Sequence, residues 1–160
     1  MANNKGLALI EIIIVIGIMS ILAAFTGFSL IRSRNSVSLD NVVAKTISDI
    51  KNQQIESMNG YSQGGVQTSY YGIYFETNRY TLFHTSTYQA NDSNNFVVNL
   101  DTDDQFVVIN IPQSQIVFAS ESGEISNFSD TQNFITIENT NSNQQKTLYF
   151  NRFGAVYAIN

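Results

Sequence analysis

The stretch Leu7–Ile31 reads LALIEIIIVIGIMSILAAFTGFSLI, and its reading decides the fold. Its one charge is Glu11. From Ile12 to Ile31 run 20 residues without any charge, the length a helix needs to cross a bilayer core. Burial in a soluble core is disfavoured, because so small a domain could hardly enclose a helix apolar on every face. A secretory signal peptide has a shorter apolar region, about 7–15 residues, before a small-residue cleavage site. Ala23-Ala24 mimics such a site here, but the acid stands at the wrong end. A plain signal anchor fits the length and gives Glu11 no role.

Insertion tolerates that acid. About fifteen Ile, Leu, Val and Phe side chains favour insertion by roughly 0.3–0.6 kcal/mol each. Their sum exceeds the roughly 2.5–3.5 kcal/mol of a charge at mid-bilayer. The carboxylate is still a retained penalty, and acids inside a membrane are functional candidates by default.

Composition narrows the rest. The 160 residues carry a net charge of -5, and only 13% are charged. The acidic balance argues against a nucleic-acid binder. Cysteine is absent, which excludes disulfides, thiolate zinc, iron–sulfur clusters and a Cys nucleophile. A single histidine, His84, excludes a multi-histidine metal site.

The series Lys5-Gly6, Leu7-Ala8-Leu9-Ile10-Glu11, then an Ile-rich run ending Ile21-Leu22-Ala23-Ala24, closely resembles the N-terminus of type IV prepilins and type II secretion pseudopilins. The resemblance implies a leader at residues 1–6, cut by a prepilin peptidase between Gly6 and Leu7, with methylation of the new Leu7 amine. It also implies that Glu11 of one subunit pairs with the Leu7 amine of a neighbour during filament assembly. Such a pair would cancel two charges in an apolar environment, where an unpaired charge is costly. Three departures stand out. Leu7 replaces the usual Phe, Phe28 stands where a helix-kinking proline is common, and a C-terminal cysteine pair is missing. Lys5 before the span and Arg32 and Arg34 after it nearly balance the positive-inside count. The motif, not the count, places Met1 in the cytoplasm.

Beyond the span, Leu39, Val43, Ile47, Ile50 and Met58 fall at helical spacing, widened by Val42 and Ile55. Asp40, Lys45, Asp49, Lys51 and Glu56 take the opposite positions. No breaker appears before Asn59-Gly60, so a helix over residues 8–58 would extend about 75 Å. From Tyr61 the period changes to two. Strands are expected at Tyr70–Glu76, Arg79–Thr85, Phe96–Leu100, Gln105–Ile111, Gln115–Ala119, Phe134–Glu138, Lys146–Asn151 and Ala155–Ile159. Pro112 should end a strand. The order of helix, then Tyr71-Gly72-Ile73-Tyr74-Phe75, then Tyr80-Thr81-Leu82-Phe83, ending in Phe153-Gly154-Ala155-Val156, loosely resembles the H-type minor pseudopilin and its pilus relatives.

The expected fold is therefore α+β and, by resemblance, pilin-like. A long N-terminal helix, membrane-spanning in its first half, packs on a C-terminal antiparallel β-sheet domain. The divisions are a leader at 1–6, a transmembrane or filament-core helix at 7–31, an amphipathic continuation at 32–60 and an extracytoplasmic β-domain at 61–160. Small residues Gly17, Ser20, Ala23, Ala24 and Gly27 would let neighbouring helices approach closely.

Other candidate sites are thin. Asp101, Asp103 and Asp104 could hold calcium through hard oxygen ligands, but without a further placed ligand a solvated hairpin is favoured. His84 with Ser86 or Ser93 makes no nucleophile–base constellation, so enzymatic activity and cofactors are not expected. Arg79 and Arg152 are isolated and form no basic patch. Asn91 and Asn127 match the N-glycosylation pattern, read here as chance in an Asn-rich chain. The expected function is a prepilin-like structural subunit of a pilus or secretion pseudopilus. Its partners would be the prepilin peptidase, other pilin or pseudopilin subunits, the assembly platform and membrane lipid. It would start in the cytoplasmic membrane with its N-terminus inside and end in a cell-surface filament. The alternative is an uncleaved single-pass membrane protein with an extracellular ligand-binding β-domain.

Overall fold

The structure is a computed structural model. It describes the backbone of residues 5–60, 62–63, 66–67 and 70–159, and the side chains of 10–22, 39–60 and 70–157. Helical backbone, α1, covers Lys5–Asn59. A ribbon of β1 (Ser62–Gln63) and β2 (Val66–Gln67) follows. Eight longer strands are β3 (Tyr70–Glu76), β4 (Arg79–Phe83), β5 (Phe96–Asn99), β6 (Asp104–Asn110), β7 (Gln115–Ala119), β8 (Phe134–Asn139), β9 (Gln144–Phe150) and β10 (Val156–Ile159). Pro112 opens a single 3-10 turn between β6 and β7, where its missing N–H does no harm to a ladder.

The strands form two four-stranded antiparallel sheets. The first has the order β5-β4-β3-β7, the second β10-β9-β8-β6. Alternation sets one face of each inward. Ile73, Phe75 and Tyr80 of the first sheet and Ile135, Ile137, Leu148 and Phe150 of the second share one core with Leu39, Val43 and Ile50 of the helix. Backbone bonds from Phe106 N to Thr77 O (2.8 Å) and from Ile125 N to Arg152 O (2.9 Å) tie the two halves together.

The outer face of the first sheet is covered by the loop after β4. Tyr88 from that loop stacks on Tyr74 at 4.1 Å and meets Phe83 edge-on at 5.7 Å. Phe83 in turn lies over Gly72. A Cβ there would sit 2.4 Å from its ring, so the ring can lie flat only on a residue without a side chain.

The expected fold needs correction. Within α1 the side chains are described in two stretches, a short N-terminal one at residues 10–22 and one of 21 residues at 39–59, so the described residues do not show one long helix packed along its length on a sheet. Only the second, residues 39–59, carries a face that fits the sheets. Its buried positions are 39, 43, 46, 50, 53 and 57, a spacing of threes and fours that keeps one stripe inward. The first stretch, apolar all round, offers no stripe to dock. Among the described residues no helix is long and apolar enough to cross a membrane, so the expected membrane-spanning first half is not found there either. The single expected sheet is also two.

The inner stripe itself differs from expectation. Ile55 and Met58 lie half exposed, while Thr46, Gln53 and Ser57 are buried. Asp49, expected on the solvent side, accepts a 2.5 Å hydrogen bond from the buried Tyr80 hydroxyl.

Candidate functional site

The N-terminal helical stretch is the most unusual surface of the molecule. Ile10, Ile12, Ile13, Ile14, Val15, Ile16, Ile18, Met19, Ile21 and Leu22 are each between 51% and 65% exposed. Exposed patches of that kind mark contact with lipid or another protein. Glu11 sits among them, exposed, and among the described residues none pairs with it. Ser20 turns its hydroxyl back onto Ile16 O at 2.8 Å and so adds no outward polarity. The expected leader and the Gly6–Leu7 cleavage position lie outside the described residues as far as their side chains and residues 1–4 are concerned.

The three acidic residues of the β5–β6 turn do not converge. Asp104 is buried, and its carboxylate accepts from Asn139 Nδ2 at 2.9 Å. Asp101 and Asp103 are exposed and serve through their backbone carbonyls. Asp101 O takes the Asp104 N–H at 3.0 Å, and Asp103 O takes the Thr140 N–H at 2.7 Å. Among the described residues no group of three acidic, His or Cys side chains could hold a metal ion. Asp101, Asp103 and Asp104 lie on a pinned hairpin turn, and their three carboxylates are not brought together. A buried carboxylate that binds an amide on the adjacent strand orders that turn instead.

His84 leaves the end of β4 and packs on the Tyr71 ring at 4.8 Å. Burial is the main cause that lowers its pKa, partly opposed by Asp92 and Glu56. Ser86 and Ser93 are exposed and make no bond to it. Both isolated arginines are engaged by carboxylates. Arg79 makes a two-pronged contact with Glu76 at 2.6 and 2.9 Å, and Arg152 meets Glu124 at 3.1 Å. The Arg79 contact, chiefly its hydrogen bond, lowers the Glu76 pKa.

Asn127, one of the two glycosylation-pattern residues, has its amide engaged. Its Oδ1 accepts the Val117 N–H at 3.1 Å, and its Nδ2 donates to Gln115 O at 2.7 Å. The side chain imitates a strand along the free side of β7, a use that its position in the sequence does not disclose.

Gln54 is a second residue without a sequence signal. Its Nε2 donates to Gly123 O at 2.8 Å and Phe153 O at 2.6 Å, so one amide clamps the helix to two turns. Between helix and first sheet lies an open groove of about 200 Å³ lined by Asn41, Lys45, Tyr80, Val98 and Asp101 among others. Asp49, beside it, is engaged by Tyr80 and by Lys45 Nζ at 3.0 Å. Nothing there combines a nucleophile with a base.

In comparisons with known proteins, no family model, no curated protein and no solved structure matches this chain.

Proposed function

We propose that this chain is a prepilin-like structural subunit. It enters the cytoplasmic membrane with its N-terminus inside and is cut between Gly6 and Leu7 by a prepilin peptidase. It is methylated at Leu7 and assembles into a type IV pilus or type II secretion pseudopilus, as an H-type-like minor subunit. The observation that carries this reading is the uncovered helical stretch. Ten large apolar side chains from Ile10 to Leu22 find no cover among the described residues. Covering each one would contribute about 1 kcal/mol, and lipid before assembly and neighbouring helices afterwards would supply that cover. The uncharged sequence continues to Ile31.

Glu11 fits the same reading. An exposed acid on an apolar stretch, unpaired among the described residues, suits a partner from outside. The Leu7 amine of a neighbour is that partner.

The test is mass spectrometry of the mature N-terminus from cells with an active prepilin peptidase. A chain starting at methylated Leu7 is expected. A chain starting at unmodified Met1 overturns the reading in favour of an uncleaved membrane protein. Glu11→Ala should leave cleavage intact and strongly reduce incorporation into filaments. Normal incorporation would refute the pairing role.

A further inference from the structure

The edge strand β5 differs from the other three sheet borders. Among the described residues, β7 is closed by the Asn127 side chain. β6 carries an extra residue between Phe106 and Val108, and β10 carries one between Val156 and Ala158. Such breaks keep an edge from templating another strand. β5 runs without a break against β4, from Phe96 opposite Leu82 to Asn99 opposite Arg79. From Ser93 to Leu100 it has no proline and no charge, the usual guards of an exposed edge.

One bond fixes which way its backbone groups face. Leu100 N donates to Asn78 O at 3.0 Å. Successive residues of an antiparallel strand turn to opposite sides. Phe96 and Val98 therefore face β4, and Val97 and Asn99 turn their N–H and C=O outward. Beside this edge, on the helix side, lies the groove of about 200 Å³, lined in part by Val42, Tyr80, Val98 and Leu100. Phe96 shares the face of Val98 and is 64% exposed.

We infer that β5 pairs antiparallel with β5 of a second copy about a two-fold axis, and that Phe96 of each copy seats in the groove of the other. Two requirements set the register. A sheet continued through the axis keeps its helix side on one side, so each residue meets one of the same face. Each outward group must also meet one that is free. Val97 opposite Asn99 of the second copy satisfies both, and every outward group of the two strands is used. Sliding the strands until Val97 meets Val97 would call on the Asn95 N–H, which Asp92 O already holds at 3.2 Å.

The same register sets Val98 opposite Val98 and Phe96 opposite Leu100, a wall of the groove. Opposed side chains stand ~4.5–5.5 Å apart at Cβ, and an apolar space of ~150 Å³ accepts a benzene ring. The contact is isologous, since each copy supplies both ring and groove. The edge is the same before and after any N-terminal processing, so the inference stands apart from the proposed function.

Cysteine is absent from the chain, so single substitutions report position. Differently tagged Val97→Cys and Asn99→Cys full-length chains, substituted at exposed positions, are mixed in a polyoxyethylene detergent and oxidised. The mixed pair should cross-link, since its Cα atoms stand ~5.5 Å apart. Neither variant should cross-link with itself, and Val108→Cys, on the second sheet, should not cross-link at all. Light scattering of the unsubstituted chain should show a pair. Phe96→Ala should weaken it about a hundredfold, because two rings lose their cover, with the circular dichroism of the fold unchanged. Three results overturn the inference. They are no more cross-linking in the mixture than in Val108→Cys, self-cross-linking of Val97→Cys in place of the mixture, and a pair that Phe96→Ala leaves intact, which assigns it to the apolar helical stretch.

Discussion

Replacing Tyr80 by Phe removes one oxygen from the joint between helix and first sheet. The ring is 1% exposed and lies edge-on to Phe106 at 6.3 Å. Its shape is kept by Phe, so no cavity forms. What is lost is the 2.5 Å hydrogen bond to Asp49, a bond to an ionised acceptor worth about 1.5–3 kcal/mol net. Asp49 does not become an orphan. Lys45 remains 3.0 Å away, and the Asp49 side chain keeps 17% of its exposure, so water and lysine recover part of the loss. The expected destabilisation is about 1–2 kcal/mol, or roughly 2–8 °C in thermal midpoint for a chain of this size.

The pH dependence supplies a second, independent readout. Burial first, then the bond to Asp49, raises the Tyr80 pKa far above its usual value. The folded state thus holds this proton more tightly than the unfolded chain, whose tyrosine titrates near pH ~10. Stability from this group is complete below pH ~10 and is lost as pH rises beyond it. Urea unfolding of the full chain in detergent, followed by circular dichroism between pH 7 and 11, measures both. The wild type should lose stability above pH ~10 more steeply than Tyr80→Phe. A variant with wild-type stability at pH 7, or with the same alkaline slope, would refute the reasoning.

Two further outcomes concern the same framework. Gly154→Ala places a side chain at φ +71°, with its Cβ 2.7 Å from the Phe118 ring and 2.9 Å from Gln54 Nε2. It should destabilise by about 1–3 kcal/mol, readable as a lower thermal midpoint. The His84 pKa is lowered, mainly by burial, so stability is complete above pH ~6.5 and falls as pH drops below that. Acid titration of unfolding should show a slope in that window which His84→Gln lacks.

The strands were legible because their signal is local. Tyr70–Glu76 and Gln115–Ala119 have the expected bounds, and the other six are displaced by at most two residues at either end. Period-two patterning and turn residues such as Thr77-Asn78 and Arg152–Gly154 carry that information within a few positions. Pairing does not share that property. Whether β6 joins β3 or β8 depends on chain segments far apart in sequence, and the split into two sheets was invisible for that reason. The helix face misled for a different one. Thr46, Gln53 and Ser57 are small enough or flexible enough to fit against the sheets, while Ile55 and Met58 stay half exposed. Hydropathy alone ranks those residues the other way round.

The acidic turn shows the same limit in the site. Three aspartates at 101, 103 and 104 look equivalent in a string of letters. The pleat turns only Asp104 inward, onto Asn139. The aromatic row Phe134–Tyr149–Tyr157 also assembles only once three consecutive strands are in register. Its members read as ordinary strand residues until then. Glu11, by contrast, stands out in the sequence without any fold, as a lone acid in an uncharged run.

The side chain of Asn127 laid along β7 has a consequence for growth. It satisfies Val117 N and Gln115 O, and Ser126 N binds Val117 O at 2.8 Å on the same side. One border of the first sheet is thereby sealed by the chain itself, and β5 forms its other border. A ribbon with one finished border can accept a single neighbour and then stops. Copies joined through this sheet can reach a pair and no further, so any longer array must be built on a different contact.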